Sequence, residues 1–287
     1  MMRHILFIVV LLSCMTIRAQ RVEYAAEDSI RIEQMLMKAQ QENPENAMLY
    51  FGKQFLGVPY VAHTLEVGDK EHLIINTREL DCTTFVENVL ALYLCYQSKR
   101  TSFRSFCDNL LNIRYRGGKL TDYTSRLHYF TWWGEDNEQM GLVKAIDTGK
   151  FPFTSTQHLN INYMSVHPTL YKHLKVNPQF VKVIAAQERA SNGKSYRYIP
   201  KSLLARSESE LSCIHTGDIV SLITKKAGLD TSHVGIAVWQ NGKLHLMHAS
   251  SIYMKVVLDT TTFYDYGQRQ TSMLGIRVYR PTANQRQ

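Results

Sequence analysis

The sequence predicts an α+β fold, and three observations predict it. Helical spacing of apolar residues dominates the first hundred positions; short strand-like runs follow Gly217-Asp218; and Asn241-Gly242 is a two-residue hairpin signal that makes its flanking strands antiparallel. The chain has 287 residues, ample for a well-buried core, and its 45% hydrophobic and 20% charged composition excludes collagen-like, low-complexity and solvating-tail classes. The net charge of +8 is spread along the chain without a Lys/Arg-rich run or a nucleic-acid motif, which argues against nucleic acid and suits an anionic polymer equally well.

The elements follow in order. Met1-Met2-Arg3-His4, the apolar run Ile5–Ser13 and Thr16-Ile17-Arg18-Ala19-Gln20 read as a secretory signal, residues 1–19, cut after Ala19. A membrane span needs about 20 apolar residues, and this run is too short. Leu11-Leu12-Ser13-Cys14 resembles a lipobox with an atypical Leu, so attachment through a lipid on Cys14 is the alternative. Either way the mature protein is expected outside the cytoplasm, in the periplasm, with no integral membrane span. Asp28–Gln41 has near-helical apolar spacing, and Asn43-Pro44 reads as the cap and first residue of a second helix. Cys82 enters a buried helix apolar on more than one face, with Asp81 as its cap. Residues 112–200 read as a loop-rich, aromatic central insertion, with one helix from Asn177-Pro178 to about Ala190. Strands are expected at 219–223, 234–239, 244–248, 256–258 and 274–279. No linker divides residues 20–287, which read as a single domain.

Four cysteines remain in the mature chain: Cys82, Cys95, Cys107 and Cys213. Their spacing matches no small disulfide scaffold, no CxxC occurs, and Cys82 and Cys95 lie about 20 Å apart along one helix, too far to pair. Cys82 is the candidate for chemistry, because backbone N–H groups and the positive dipole end at a helix N-terminus favour a thiolate; the alternative is a buried small hydrophobe. About the Asn241-Gly242 turn, paired positions sum to 483, so His248 faces Gly235, Leu246 faces Ala237 and His245 faces Val238. His233 then shares a face with His248 as a diagonal neighbour, roughly 7–8 Å away between α-carbons. Small Gly235 and Ala237 on that face leave room for the Cys82 helix. A Cys–His–His set can do acyl transfer: one imidazole carries the thiol proton and the other fixes its tautomer. The same three residues are also acceptable zinc ligands, without a carboxylate or CxxC at recognisable spacing.

The order Gly57-Val-Pro-Tyr60, Leu80-Asp-Cys-Thr-Thr-Phe-Val-Glu87, Gly217-Asp218, Ser232-His-Val-Gly235 and His248-Ala-Ser250 resembles the NlpC-type branch of papain-like cysteine peptidases and amidases. More narrowly, Ser125-Arg-Leu-His-Tyr-Phe130 with Trp132, Met164-Ser-Val-His-Pro168, Gly228-Leu-Asp230 and Leu246-Met-His-Ala-Ser-Ser251 resemble the N-acetylmuramoyl-L-alanine amidase-like family of that branch. The resemblance covers almost all of the mature chain. It implies a papain-like core with N-terminal helices packed on an antiparallel sheet. Cys82 would be the nucleophile, His233 the general base and acid, His248 the orienting residue and Tyr60 a tyrosine near the oxyanion. Asp-Cys-Thr-Thr stands where the wider superfamily has Asp-Cys-Ser-Gly, and the central insertion is foreign to the minimal fold.

The reaction implied is hydrolysis of the amide between N-acetylmuramic acid and L-alanine in soluble anhydro-muropeptides, by a monomer needing no metal or cofactor. Within the insertion, Trp132 and Trp133 are candidates to stack on sugars. Tyr129 belongs to the same candidate surface, and Arg126 is a candidate to pair with a stem-peptide carboxylate. Two other classes remain open at this stage: a catalytically silent muropeptide-binding module and a zinc-dependent hydrolase.

Overall fold

The computed structural model describes residues 22–282, so the expected signal at 1–19 and Cys14 lie outside the described residues. A short parallel pair, β1 (Val22–Glu23) with β2 (Leu73–Ile74), flanks a helical layer. That layer comprises α1 (Ala26–Glu42), α2 (Ala47–Gln54), α3 (Cys82–Gln97) and α4 (Phe103–Arg114). Ile32, Met35, Leu36 and Ala39 form the buried stripe of α1. Its end differs from the sequence expectation. Asn43 adopts the left-handed conformation (φ 45°) and terminates α1, while Asn46 caps α2 by accepting from Leu49 N–H at 2.9 Å. Asn can do either, and Pro44 sits between the two caps.

The central stretch is more regular than expected. It holds α5 (Phe130–Gln139), β3 (Val143–Ile146), β4 (Ser155–His158), α6 (Tyr163–Val166), α7 (Lys172–Val176), α8 (Pro178–Ser191) and β5 (Ser195–Pro200). Then follow β6 (Ile219–Thr224), β7 (Thr231–Gln240), β8 (Lys243–Ser250), β9 (Lys255–Leu258), α9 (Phe263–Arg269) and β10 (Met273–Pro281). The main sheet runs β4-β5-β10-β6-β7-β8-β9, with β3 also on β10, and every pair in it is antiparallel. Because β3 and β5 both pair with β10, residues 112–200 do not merely interrupt the fold; they complete its sheet.

Two cores lie on the two faces. On one, Phe85, Val86 and Val89 of α3 join Val234, Ile236 and Met247; on the other, Ala237, Leu246 and Ile276 join Phe263 and Tyr266 of α9. Among the described residues no helix is long and apolar enough to cross a membrane. Buried ion pairs tie the helical layer together. Arg114 donates to Glu87 on α3 at 2.7 Å and to the Ile74 carbonyl at 2.6 Å, with both charged side chains almost fully buried.

Candidate active site

The site begins with a cap. Asp81 Oδ1 accepts from Thr84 N–H at 2.8 Å while Thr84 Oγ1 accepts from Asp81 N–H at 2.9 Å, a reciprocal arrangement that fixes the first turn of α3. Cys82 is therefore held at the first helical position. The N–H groups of Val234 and Thr83 and the Thr83 hydroxyl lie close enough to its sulfur to favour the thiolate. Val234 can donate because the β7–β8 ladder ends at Ile236–Met247, leaving this part of β7 without a partner in β8. Burial, reinforced by the neighbouring Asp81 carboxylate, nonetheless pushes the Cys82 thiol up to about 12 against those hydrogen bonds.

The hairpin turns as the sequence predicts. Asn241 and Gly242 both have positive φ, 51° and 70°, and the ladder pairs Gln240 with Lys243, Val238 with His245 and Ala237 with Leu246. His233 and His248 consequently share a face, and His233 Nε2 lies 2.6 Å from His248 Nδ1, the rings edge to face. Burial, then His248, depresses His233 to about 3, so it is an uncharged imidazole at neutral pH. Gly235 makes this approach possible: a Cβ there would meet the Met247 carbonyl oxygen at 2.8 Å and His248 Cβ at 3.1 Å.

One detail differs. The small-residue face carrying Gly235 and Ala237 is covered by α9, not by the Cys82 helix, which packs against Val234, Ile236 and Met247 on the reverse face. Residues alternate along β7, so α3 contacts the even positions. The sulfur meets the histidine strand through the backbone of Val234. Tyr60 stands beside Cys82: burial, then Cys82 and Asp81, raise its hydroxyl to about 12.

Two residues at the site were not read from the sequence. Tyr266 on α9 packs its ring 5.4 Å from that of His248, and burial first, then Cys82 and Asp259, raise its hydroxyl above the ordinary tyrosine value. Asp259 is buried with its Oδ2 3.9 Å from His248 Nε2. Oδ1 is held by the Thr261 N–H and hydroxyl, both at 2.9 Å, and the Asp259 N–H donates to the Leu246 carbonyl. Asp259 is the diagonal neighbour of His248 on β9's continuation. The turn at 251–254 has no two-residue signature, so that register could not be read in advance. His245 points away from this cluster, with Nδ1 3.0 Å from the Asp259 carbonyl oxygen.

The aromatic insertion is placed differently. Arg126 is buried over the Tyr123 ring, bidentate on Glu71 (2.8 and 2.6 Å) and paired with Glu66 at 2.8 Å. The carboxylates it was expected to find on a ligand are supplied by the protein. Tyr129 donates to Glu188 at 2.7 Å, Trp132 donates to Ser191 at 2.7 Å, and Trp133 stacks on Phe130; all are core residues, so none presents an open face for a sugar. Cys82, Cys95, Cys107 and Cys213 are all free thiols. No group of three His, Cys, Asp or Glu among the described residues is arranged to hold a metal ion, and one nitrogen of each imidazole, His233 Nε2 and His248 Nδ1, faces the other.

The fold and the comparisons define a class first, the cell-wall amidases, hydrolases of the amide bond. Within it, the chain belongs to the AmiA-like N-acetylmuramoyl-L-alanine amidase-like family, whose model matches residues 50–276. A crystal structure of an N-acetylmuramoyl-L-alanine amidase from Bacteroides uniformis is 42% identical, with a TM-score of 0.77, covering 82% of this chain and 98% of that one. A putative xylanase from Bacteroides fragilis is 45% identical at TM-score 0.75, covering 80% and 99%. A Legionella pneumophila protein at 23% identity and TM-score 0.63, covering 88% and 96%, shares the fold. A comparison with curated proteins gives no match.

The burial of Arg126 yields a stability prediction. Arg126→Ala leaves Glu71 and Glu66 uncompensated and should cost about 3–5 kcal/mol in urea unfolding, while KM of the folded fraction stays near wild type. A changed KM with intact stability would return Arg126 to substrate binding.

Proposed function

We propose that this protein is a cysteine-dependent amidase that hydrolyses the bond between N-acetylmuramic acid and L-alanine, in soluble anhydro-muropeptides, on a papain-like core of the NlpC type. The observation that carries the reading is the contact of His233 on β7 with His248 on β8, next to the Val234 N–H that favours the Cys82 thiolate. Membership of the N-acetylmuramoyl-L-alanine amidase-like family supports this choice of bond.

The mechanism follows from the hydrogen-bond directions. An ionised Asp259 facing His248 Nε2 favours the tautomer with the proton there, which leaves His248 Nδ1 as an acceptor. His233 Nε2 must then donate to it, so the free lone pair of His233 is on Nδ1. That nitrogen takes the thiol proton as the Cys82 sulfur attacks the lactyl carbonyl. The oxyanion forms near the Cys82 N–H and the Tyr60 hydroxyl. His233 returns the proton to the departing L-alanine amine as the C–N bond breaks. Water, deprotonated by His233, then hydrolyses the thioester. The zinc and silent-binder readings gain no observation of their own.

Digestion of purified anhydro-muropeptides should release the intact peptide and the sugar, identified by mass. Cys82→Ala should abolish this while preserving the fold, and turnover near wild type would remove the cysteine mechanism. The order of damage to kcat should be His233→Ala, then His248→Ala, then His245→Ala, the last nearly silent. Asp259→Asn, which lets the wrong His248 tautomer form, should lower kcat by about 10–100-fold with little change in KM.

With the thiol near 12 and His233 near 3, the resting pair is thiol and neutral imidazole, not an ion pair. Iodoacetamide should therefore alkylate Cys82 slowly at pH 7 and about tenfold faster for each pH unit gained below 12. Rapid alkylation at neutral pH would show a preformed thiolate instead.

We also propose export to the periplasm, on the charged start, short apolar run and Ala19 of the N-terminus. Mass analysis of the mature protein should find Gln20 first. An acylated Cys14 would establish the lipid-anchored form, and an intact N-terminus would overturn both.

A further inference from the structure

Away from Cys82, one deeply buried arginine of the described residues is left without a carboxylate partner. Arg277 on β10 is 6% exposed, yet no carboxylate oxygen of the described residues lies within 4.0 Å of it. Its Nη2 donates to Thr131 Oγ1 at 2.6 Å, its guanidinium lies 4.7 Å from the centre of the Tyr196 ring, and its Nε has no hydrogen-bond partner. The other deeply buried arginines, Arg114 and Arg126, each face a carboxylate at 2.8 Å or less. Asp230 is connected to Arg277 only through Thr131, whose N–H its Oδ2 accepts. A buried guanidinium with spare donors is costly unless something anionic completes it.

There is space for such a group. Arg277 lies where β3 and β5 part along the edge of β10, and it lines a cavity of about 360 Å³. Tyr196 and Tyr279 form walls, Ala145 and Ile146 add apolar surface, and the exposed Glu138 and Asp147 stand at the rim. Of the other charges there, Arg197 donates to the Phe153 and Gly149 carbonyls and Glu135 takes Lys194 and the Tyr196 hydroxyl, while Glu138 and Asp147 each accept one backbone N–H, from Ala145 and Gly149, on one carboxylate oxygen. Positive charge at the bottom and negative charge at the mouth match a ligand with an anionic head and a cationic end.

We propose that this cavity binds a small zwitterion of the amino-acid or dipeptide class, with its carboxylate on Arg277 and its ammonium group at Glu138 and Asp147. The site is separate from the thiol. Arg277 pairs with Ser221 and Ser221 with Val234, two strand spacings or about 10 Å, and both intervening side chains are buried. The proposal therefore stands whether or not Cys82 is the nucleophile.

The experiment is calorimetric titration of the full mature chain with alanylalanine, its C-terminal amide and its N-acetyl derivative, repeated on Cys82→Ala. The free dipeptide should bind both proteins equally. The amide, lacking the carboxylate, should bind at least tenfold more weakly, and the N-acetyl derivative should lose less. Arg277→Met should remove binding and Glu138→Gln should weaken it, with thermal melting to confirm folding. If Arg277→Met does not fold, the acid-against-amide comparison on the unmutated protein decides. Equal affinity for acid and amide, no binding at millimolar dipeptide, or binding lost in Cys82→Ala would each overturn the proposal.

Discussion

The contact between two imidazoles, His233 Nε2 to His248 Nδ1 at 2.6 Å, constrains much of what surrounds it. It needs adjacent strands in one register, a residue without a side chain opposite His248, and a fixed direction for each proton. The Asn241-Gly242 turn sets the register, Gly235 provides the clearance, and Asp259 faces the far nitrogen. A one-residue slip would place His245 on this face and send His248 to the other, where α3 packs. The cysteine is positioned separately, by the reciprocal cap of Asp81 and Thr84, and the two devices meet at the Val234 N–H.

Buried charge organises the rest of the helical layer. Arg114 joins α4 to α3 and to the short strand at Ile74, and Arg126 joins the central stretch to the loop bearing Glu66 and Glu71. Each arginine is used several times over, by carboxylate, carbonyl and, for Arg126, an aromatic face. Such pairs specify which segments lie together more than they add to stability. That is why an arginine amid aromatics, which in sequence resembles a ligand-binding residue, proves to be a fastening.

Legibility follows the range of the interactions. The Cys82 helix, its cap, the hairpin and the histidine pair are set by neighbours no more than 15 residues apart, and each was readable. Asn43 against Asn46 was not, because Asn serves as a left-handed terminator and as an N-cap alike. Nor was the partner of Arg126, which is 55 residues away at Glu71, nor Asp259, whose register depends on an irregular turn. The even-numbered face of β7 packs on α3 because the sheet has two covered sides, and local spacing says nothing about which layer covers which. The stretch 112–200 looked irregular because its strands are short and alternate weakly, so their pairing with β10 had no local signature.

That pairing limits how the molecule can be trimmed. β10 gives one edge to β6 and divides the other between β5 and β3. Excising the central stretch to leave a minimal hydrolase would strip β10 of its whole outer flank and bare a row of unpaired N–H and C=O groups beside apolar Ile276 and Val278. Such an edge is a template for other chains. A shortened protein could retain every residue of the thiol and imidazole site and still be lost to aggregation, so the surplus length of this chain serves as the selvage of its sheet.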